Sequence, residues 1–308
     1  MYENFYGFHQ KPFSLLPDPS FLFPSKKHRM ALVMLEYSLT NQASFSVITG
    51  GIGTGKTTLI RQLLNQLEKN VTVGLISNTH RSFGELMQWV LMAFKLEYAG
   101  KSKVSMCQSF VDFLISEYAQ NRRTVLIIDE AQNMTPETLE ELRMLSNVNA
   151  EKDLVLQIFL AGQASLRDLL SRPDMEQFAQ RISQDYHLEP LNAEETRDYI
   201  RHRLAIAGGD PQSFTDGACE SVFRHSGGVP RLINLLCDTA LVYGYAENTK
   251  LIQAGLVEDV AREKRHGGIF PAPAQFGIHG FGKHMPEADA ADSVPTTSGI
   301  QAQTGKKK

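Results

Sequence analysis

Between an apolar, strand-like stretch, Phe45 to Ile48, and a helical pattern opening at Thr58 lies a glycine-rich run, Gly50-Gly51-Ile52-Gly53-Thr54-Gly55-Lys56-Thr57. Gly50, Gly55, Lys56 and Thr57 fill every fixed position of GxxxxGK[ST]. The extra glycines at 51 and 53 let the backbone curl so that successive N–H groups point at phosphates. Lys56 is expected to reach the β and γ phosphates, the Thr57 hydroxyl to ligate Mg²⁺, and the N-terminus of the following helix to add partial positive charge. A chance glycine turn seldom sits between a strand and a helix. Residues 50–58, Thr58 included, are therefore read as the cradle for a nucleoside triphosphate.

A second feature supplies the chemistry such a cradle needs. Val125-Leu126-Ile127-Ile128 is a short continuous apolar run, as expected for a strand buried on both faces of a parallel sheet. It ends in Asp129-Glu130. Two adjacent carboxylates at a strand end divide the work of Walker-type hydrolysis: Asp129 is expected to hold the Mg²⁺ shell and Glu130 to act as general base toward the attacking water. The pair points to an ATPase rather than a mere nucleotide binder.

The 308 residues suffice for about two domains. A first segment, 1–24, is dense in Phe, Tyr and Pro; its run Pro12 to Pro19 cannot be regular helix, so an extended strap wrapping the core is expected. Residues 25–190 alternate helical and strand patterns, with helices over about 25–40, 58–69, 82–97 and 105–120 and from 135. Strands are expected over 71–77, 125–128, 154–160 and near 186–188, giving a doubly wound parallel α/β sheet. From 191 to 265 the pattern is wholly helical, a small lid. Residues 266–308, rich in Gly, Pro, Ala, Ser and Thr without periodicity, are expected to be disordered.

Composition narrows the class. A formal net charge of -3 offers no global reason to expect nucleic acid as a partner. The basic clusters Lys26-Lys27-His28-Arg29 and Arg201-His202-Arg203 are expected to be solvated helix faces, and Trp89, Phe94 and Phe110 to be core. Three scattered cysteines without CxxC spacing and nine histidines without HExxH spacing indicate neither a disulfide framework nor a zinc site. No secretory signal is evident at the start, and no run approaches the ~18 apolar residues of a membrane span. A cytoplasmic chain is expected.

Taken together with Phe5-Tyr6-Gly7, Lys11-Pro12-Phe13, Asp129-Glu130-Ala131-Gln132 and Gly227-Gly228-Val229-Pro230-Arg231-Leu232-Ile233-Asn234, these features resemble the AAA+ ATPases of the general secretion pathway protein A group over about residues 1–265. Their nearest form is similar to the secretion ATPase of PEP-CTERM/exosortase and exopolysaccharide loci. The resemblance implies an AAA+ P-loop NTPase core followed by a helical lid, with ATP and Mg²⁺ bound. It also implies three roles: Gln163 as sensor 1, orienting the lytic water; Arg181 as an arginine finger presented to a neighbouring subunit; and Arg231 as sensor 2, reaching from the lid to the phosphates. Leu160-Ala161-Gly162-Gln163-Ala164-Ser165 departs from the group's common Gly-Gln-Pro-Glu but keeps the amide.

From the same resemblance come a homo-oligomer with inter-subunit ATP sites and an envelope secretion or polysaccharide-export partner, through which any link to the inner membrane would run. Adenine contacts are expected from the strap and lid, with no residue singled out. Two other readings stay open at this point: a DNA-associated regulator like the transposition ATPases, and a nucleotide-dependent scaffold with little turnover.

Overall fold

In the computed structural model, which describes residues 1–67, 70–77, 85–150 and 153–266, five parallel strands form one sheet. They are β1 (Phe45–Gly50), β2 (Val71–Ile76), β3 (Arg123–Ile128), β4 (Leu156–Gly162) and β5 (Ile182–Leu188). Their spatial order is β2-β3-β4-β1-β5, all neighbours parallel. β1, β3 and β4 are almost wholly buried, which explains why their sequences read as unbroken apolar runs rather than alternating ones.

Alternation within those runs separates the two faces. Val125 and Ile127 of β3 join Ile48 and Phe159 against α1 (Lys26–Thr40) and α2 (Lys56–Gln66), through Ala31, Leu35, Leu59 and Leu63. Leu126 and Ile128 point the other way. There they pack on α3 (Leu86–Ala93), α4 (Lys103–Ala119), α5 (Pro136–Leu145) and α6 (Ala164–Leu170), with Phe110 and Leu139 fully buried. Phe94 is buried and Trp89 partly buried in this same cluster. The expected doubly wound sheet is thus present.

Side chains set where the helices begin. Ser25 caps α1 by accepting the His28 N–H, and Thr135 caps α5 by accepting the Thr138 N–H, with Pro136 in the first turn. The strand of the glycine run ends at Gly50 and its helix starts at Lys56, two residues before the sequence pattern suggested. The expected helix over 82–97 is observed over Leu86–Ala93; its first residues, 82–84, lie outside the described residues, as does the expected tail from 267 onward. Among the described residues no helix is long and apolar enough to cross a membrane.

Four further helices follow the sheet: α7 (Ala193–Ile206), α8 (Asp216–Ser226), α9 (Pro230–Ala246) and α10 (Ala254–His266). Asn192 and Glu195 close a reciprocal capping box at the start of α7. The strap meets both layers: Arg61 of α2 donates to its Pro17 carbonyl and Leu22 packs beside the sheet-side core. Its aromatic residues Tyr2, Tyr6, Phe8, Phe13 and Phe21 are buried in the core of the helical unit itself, beside Ile200, Leu204, Phe214 and Ile233. Four small helices enclose little apolar volume, and the strap fills the remainder.

Close approach at two glycines makes that insertion possible. A methyl group on Gly209 would lie 2.1 Å from the Phe8 ring, and one on Gly244 2.3 Å from the Tyr6 hydroxyl. That hydroxyl sits 3.2 Å from the Leu241 carbonyl and 3.0 Å from that of Thr249, and the Tyr2 hydroxyl donates to Asp238. Phe13, 1% exposed, meets Phe214 edge-on. Phe13→Ala is expected to lower the unfolding free energy by about 3–5 kcal/mol, read from chemical denaturation midpoints, although no strand or helix contains this residue.

Candidate active site

The register of the sheet brings separate stretches of sequence to one edge. Gly50 pairs with Leu188, Thr49 with Gly162, and Ile128 with Leu160, so the glycine run, the acidic pair and Gln163 all leave the sheet at its carboxyl end. Clefts at that edge are where open α/β sheets bind ligands. The cleft found there, of about 260 Å³, is lined by Gly53, Gly55, Lys56, Thr57, Thr58, Glu130, Gln163 and Arg231.

The loop is conformationally demanding. Gly53 (φ 79°) and Gly55 (φ 104°) are left-handed. A side chain on Gly50 would meet the Leu188 carbonyl at 2.6 Å. Thr54 closes the turn by donating its hydroxyl to the Gly51 carbonyl at 2.9 Å. Lys56, buried, donates to the carbonyls of Gly50 and Gly51, each at 2.9 Å. Burial lowers the pKa of its ammonium group, against the opposing pull of Glu130 and Asp129.

Thr57 Oγ1 donates to Asp129 Oδ2 at 2.8 Å, which ties the cradle to the end of β3. A hydroxyl and a buried carboxylate meeting there are hard oxygen donors of the kind Mg²⁺ takes together with substrate phosphates. Among the described residues, no three His, Cys, Asp or Glu side chains converge on a metal site of their own. Glu130 follows in a left-handed conformation (φ 55°), uncommon for a residue with a side chain, and its N–H is held by Asp129 Oδ1 at 2.9 Å. The Gln163 side-chain amide lies 3.4 Å from Glu130 Oε2.

Arg231 comes to the same cleft from the helical unit. Its backbone N–H donates to the Gly53 carbonyl at 3.2 Å, and a methyl group on Gly53 would strike Arg231 Cβ at 2.6 Å. Gly227 and Gly228 are both left-handed ahead of Pro230, and a side chain on Gly228 would meet the Leu191 carbonyl at 1.8 Å. That turn places the start of α9 over the glycine loop. Gly50, Gly51, Thr54 and Asp129 do not line the cleft themselves but are hydrogen-bonded within the loop or to Thr57, whereas Arg181 lies away from it: it precedes β5, at the opposite end of the strand whose Leu188 pairs with Gly50.

Two basic clusters read as solvated faces are only partly so. Arg203 is buried, its guanidinium donating to the Pro12 carbonyl (2.5 Å), the Ser14 carbonyl (3.4 Å) and the Tyr199 hydroxyl (2.9 Å), and lying 4.6 Å over the Phe21 ring. Tyr199 in turn donates to Asn234, whose amide donates to the Ser14 carbonyl. Arg203, Tyr199 and Asn234 thereby line the end of the cleft nearest the strap, beside Leu15 and Phe21. Spacing alone did not single them out, because a buried arginine at a helix position reads like an exposed one.

His28 is the second exception. It is buried against Gly55, its Nδ1 2.8 Å from Ser25 Oγ and its Nε2 3.0 Å from the Thr54 carbonyl. A carbonyl can only accept, so the ring carries its proton on Nε2 and accepts from Ser25 on Nδ1. Burial lowers its pKa below 6.5. The unfolded chain therefore binds a proton at this position before the folded one does, and stability falls as pH drops below the unfolded value. Replacing His28 by Gln is expected to flatten part of the loss of melting temperature between about pH 8 and pH 5.

Comparisons with known proteins bear on the fold around this site. A family model described as an AAA domain matches residues 39–170. General secretion pathway protein A of Aeromonas hydrophila is 38% identical over 264 residues, which are 85% of this chain and 48% of that protein. The chain thus spans about half the length of that relative. Among solved structures, the Aeropyrum pernix ORC2 protein aligns with a TM-score of 0.63 at 16% identity over 83% of this chain and 72% of its own. Cdc6p of Pyrobaculum aerophilum gives 0.60 at 17% over 80% and 71%, and a Walker-type ATPase of Pyrococcus abyssi 0.58 at 17% over 82% and 76%. At these identities the structures speak for the fold alone. Residues 39–170 match an AAA domain within an AAA+ P-loop NTPase fold, in a chain similar over most of its length to General secretion pathway protein A.

Proposed function

We propose that the chain is a Mg²⁺-dependent ATPase that works as a homo-oligomer and drives or regulates an envelope secretion or exopolysaccharide-export apparatus. The observation that carries the catalytic part is the meeting of Lys56, Thr57, Asp129, Glu130 and Gln163 at the carboxyl edge of the sheet. Residues 25–190 would be the ATPase core, 191–265 the lid and 1–24 the strap, which is built into the lid's apolar centre.

In this reading ATP lies with its phosphates along residues 50–58 and its base toward the strap, between Leu15, Phe21 and Tyr199. Lys56 leaves the carbonyls of Gly50 and Gly51 for the β and γ phosphates. Thr57 and Asp129 would hold Mg²⁺, which when bound would supply charge neutralisation to the triphosphate. Glu130 accepts the proton of a water whose oxygen attacks the γ phosphorus; the bond to the β–γ bridging oxygen breaks and ADP departs with that electron pair. Gln163 orients the water. Arg231 joins the phosphate site to the lid, so that the lid angle follows the bound nucleotide.

Arg181 supports the oligomeric part. From the start of β5 to Leu188 is roughly 20 Å of extended chain, too far for its guanidinium to reach the phosphates of its own copy. Its target would be the γ phosphate of a neighbouring copy. The cellular role draws on the similarity to General secretion pathway protein A, and its assignment to PEP-CTERM/exosortase loci on the sequence motifs. A cytoplasmic location, with membrane contact through a partner, goes with that role.

Lys56→Ala is expected to abolish nucleotide binding in equilibrium titrations. Glu130→Gln should keep binding and lower turnover by about 10²–10⁴-fold; turnover at the wild-type rate would remove Glu130 as the base. Arg181→Ala should bind nucleotide normally and hydrolyse slowly, and mixing it with Glu130→Gln copies should restore part of the activity. No recovery at any mixing ratio would overturn the inter-subunit site.

A further inference from the structure

Gln132 belongs neither to the phosphate loop nor to the metal donors, yet it touches both residues that face the lytic water in the reading above. After Glu130 the chain makes one 3₁₀ turn, Ala131–Asn133, anchored by the fully buried Ala131 and the buried Met134. This turn folds the Gln132 side chain back over its neighbour. Its Nε2 donates to Glu130 Oε2 at 2.5 Å. Its Oε1 accepts the backbone N–H of Gln163 at 3.0 Å, and the Gln163 side-chain amide closes the ring at 3.4 Å from the same Glu130 oxygen. Space for that amide is kept by Gly162, where a methyl group would approach Gln132 Oε1 to 2.9 Å and Leu166 to 2.7 Å.

We propose that Gln132 is a positioning residue: its amide fixes the Glu130 carboxylate and makes that carboxylate follow the turn between β4 and α6. A glutamate has several side-chain rotors, and a general base acts only from the orientation that reaches its proton. A side-chain amide is suited to the task because it donates to a carboxylate and accepts from a backbone N–H at the same time. A displacement at Gln163 then moves the oxygen of Glu130 through one rigid group. The inference rests on the reading of Glu130 as the base.

Gln132→Leu keeps the size and removes both hydrogen bonds. It is expected to lower kcat about 10–100-fold, as loss of a group that orients another does, while the KM for ATP and the Kd for a non-hydrolysable analogue stay within about twofold. Gln132→Glu keeps the acceptor for Gln163 but sets a second carboxylate against Glu130, and should lose at least as much. In single-turnover assays, Gln132→Leu combined with Glu130→Gln should be no slower than Glu130→Gln alone, since the two act through one carboxylate. Wild-type kcat in Gln132→Leu, losses that multiply in the double variant, or nucleotide affinity falling in step with kcat would each overturn the role. If Glu130→Gln itself turns over like wild type, the base assignment fails. If Glu130→Gln is slow while Gln132→Leu is unimpaired, only the role of Gln132 falls.

Discussion

A hydrogen bond from Thr57 Oγ1, in the first turn of α2, to Asp129 Oδ2, just past the end of β3, joins two residues 72 positions apart at the candidate site. It exists because β1 and β3 flank β4 in one parallel sheet, so that their carboxyl ends open onto the same edge. The bond also has a chemical meaning. A hydroxyl donating to a carboxylate marks two oxygens close enough to share one small cation, and beside them the Lys56 ammonium group, its pKa lowered by burial, is favoured in its charged form by Glu130 and Asp129. The left-handed turn at Glu130 follows from the same constraint, since Asp129 must face the loop while the next side chain faces the cleft.

Around that centre the molecule is organised by what covers the loop. α9 bears on it through the Arg231 N–H and the Gly53 carbonyl, and α1 through His28 and the Thr54 carbonyl. These two contacts come from different bodies. α1 packs on the sheet, whereas α9 belongs to the apolar core that also contains the strap. The strap then runs from that second core directly into Ser25 and α1. Residues 50–57 are thus held on one side by the sheet's own helix and on the other by α9, with the chain crossing between them at Pro24. Arg203 reinforces the crossing by holding the strap carbonyls of Pro12 and Ser14, an interaction that a shorter or neutral side chain would not span.

The sheet was legible in the sequence because its signals are local. The run Val125 to Ile128 is apolar on both faces, Thr135-Pro136 caps a helix, and Gly50 to Thr57 satisfies a loop that few sequences can form. Element boundaries moved by only a few residues, as where β4 runs to Gly162 and α2 starts at Lys56. The strap's destination was not legible. Phe, Tyr and Pro in an irregular segment say that it will be buried but not in which of two cores, and the choice is made by space left at Gly209 and Gly244, far along the chain. The same holds for His28 and Arg203. Each lies in a basic cluster whose other members are partly or fully exposed, and only the tertiary structure separates the buried cation or imidazole from its neighbours.

The proposed assembly turns on the position of Arg181. Parallel strands give a sheet two chemically different edges: the carboxyl edge, with the phosphate loop, and the amino edge, from which β5 and Arg181 begin. A copy that offers its amino edge to the next copy's carboxyl edge makes a head-to-tail contact, and such contacts repeat in one direction until they close into a ring or extend as a filament. In the proposed oligomer each site would then draw its cradle, cation donors and base from one copy and its finger from another. The lid of the first copy, touching its own loop through Arg231, would tilt with its nucleotide and change the angle at which the second is met. Hydrolysis and the shape of the assembly would be coupled through the same eight residues, 50–57.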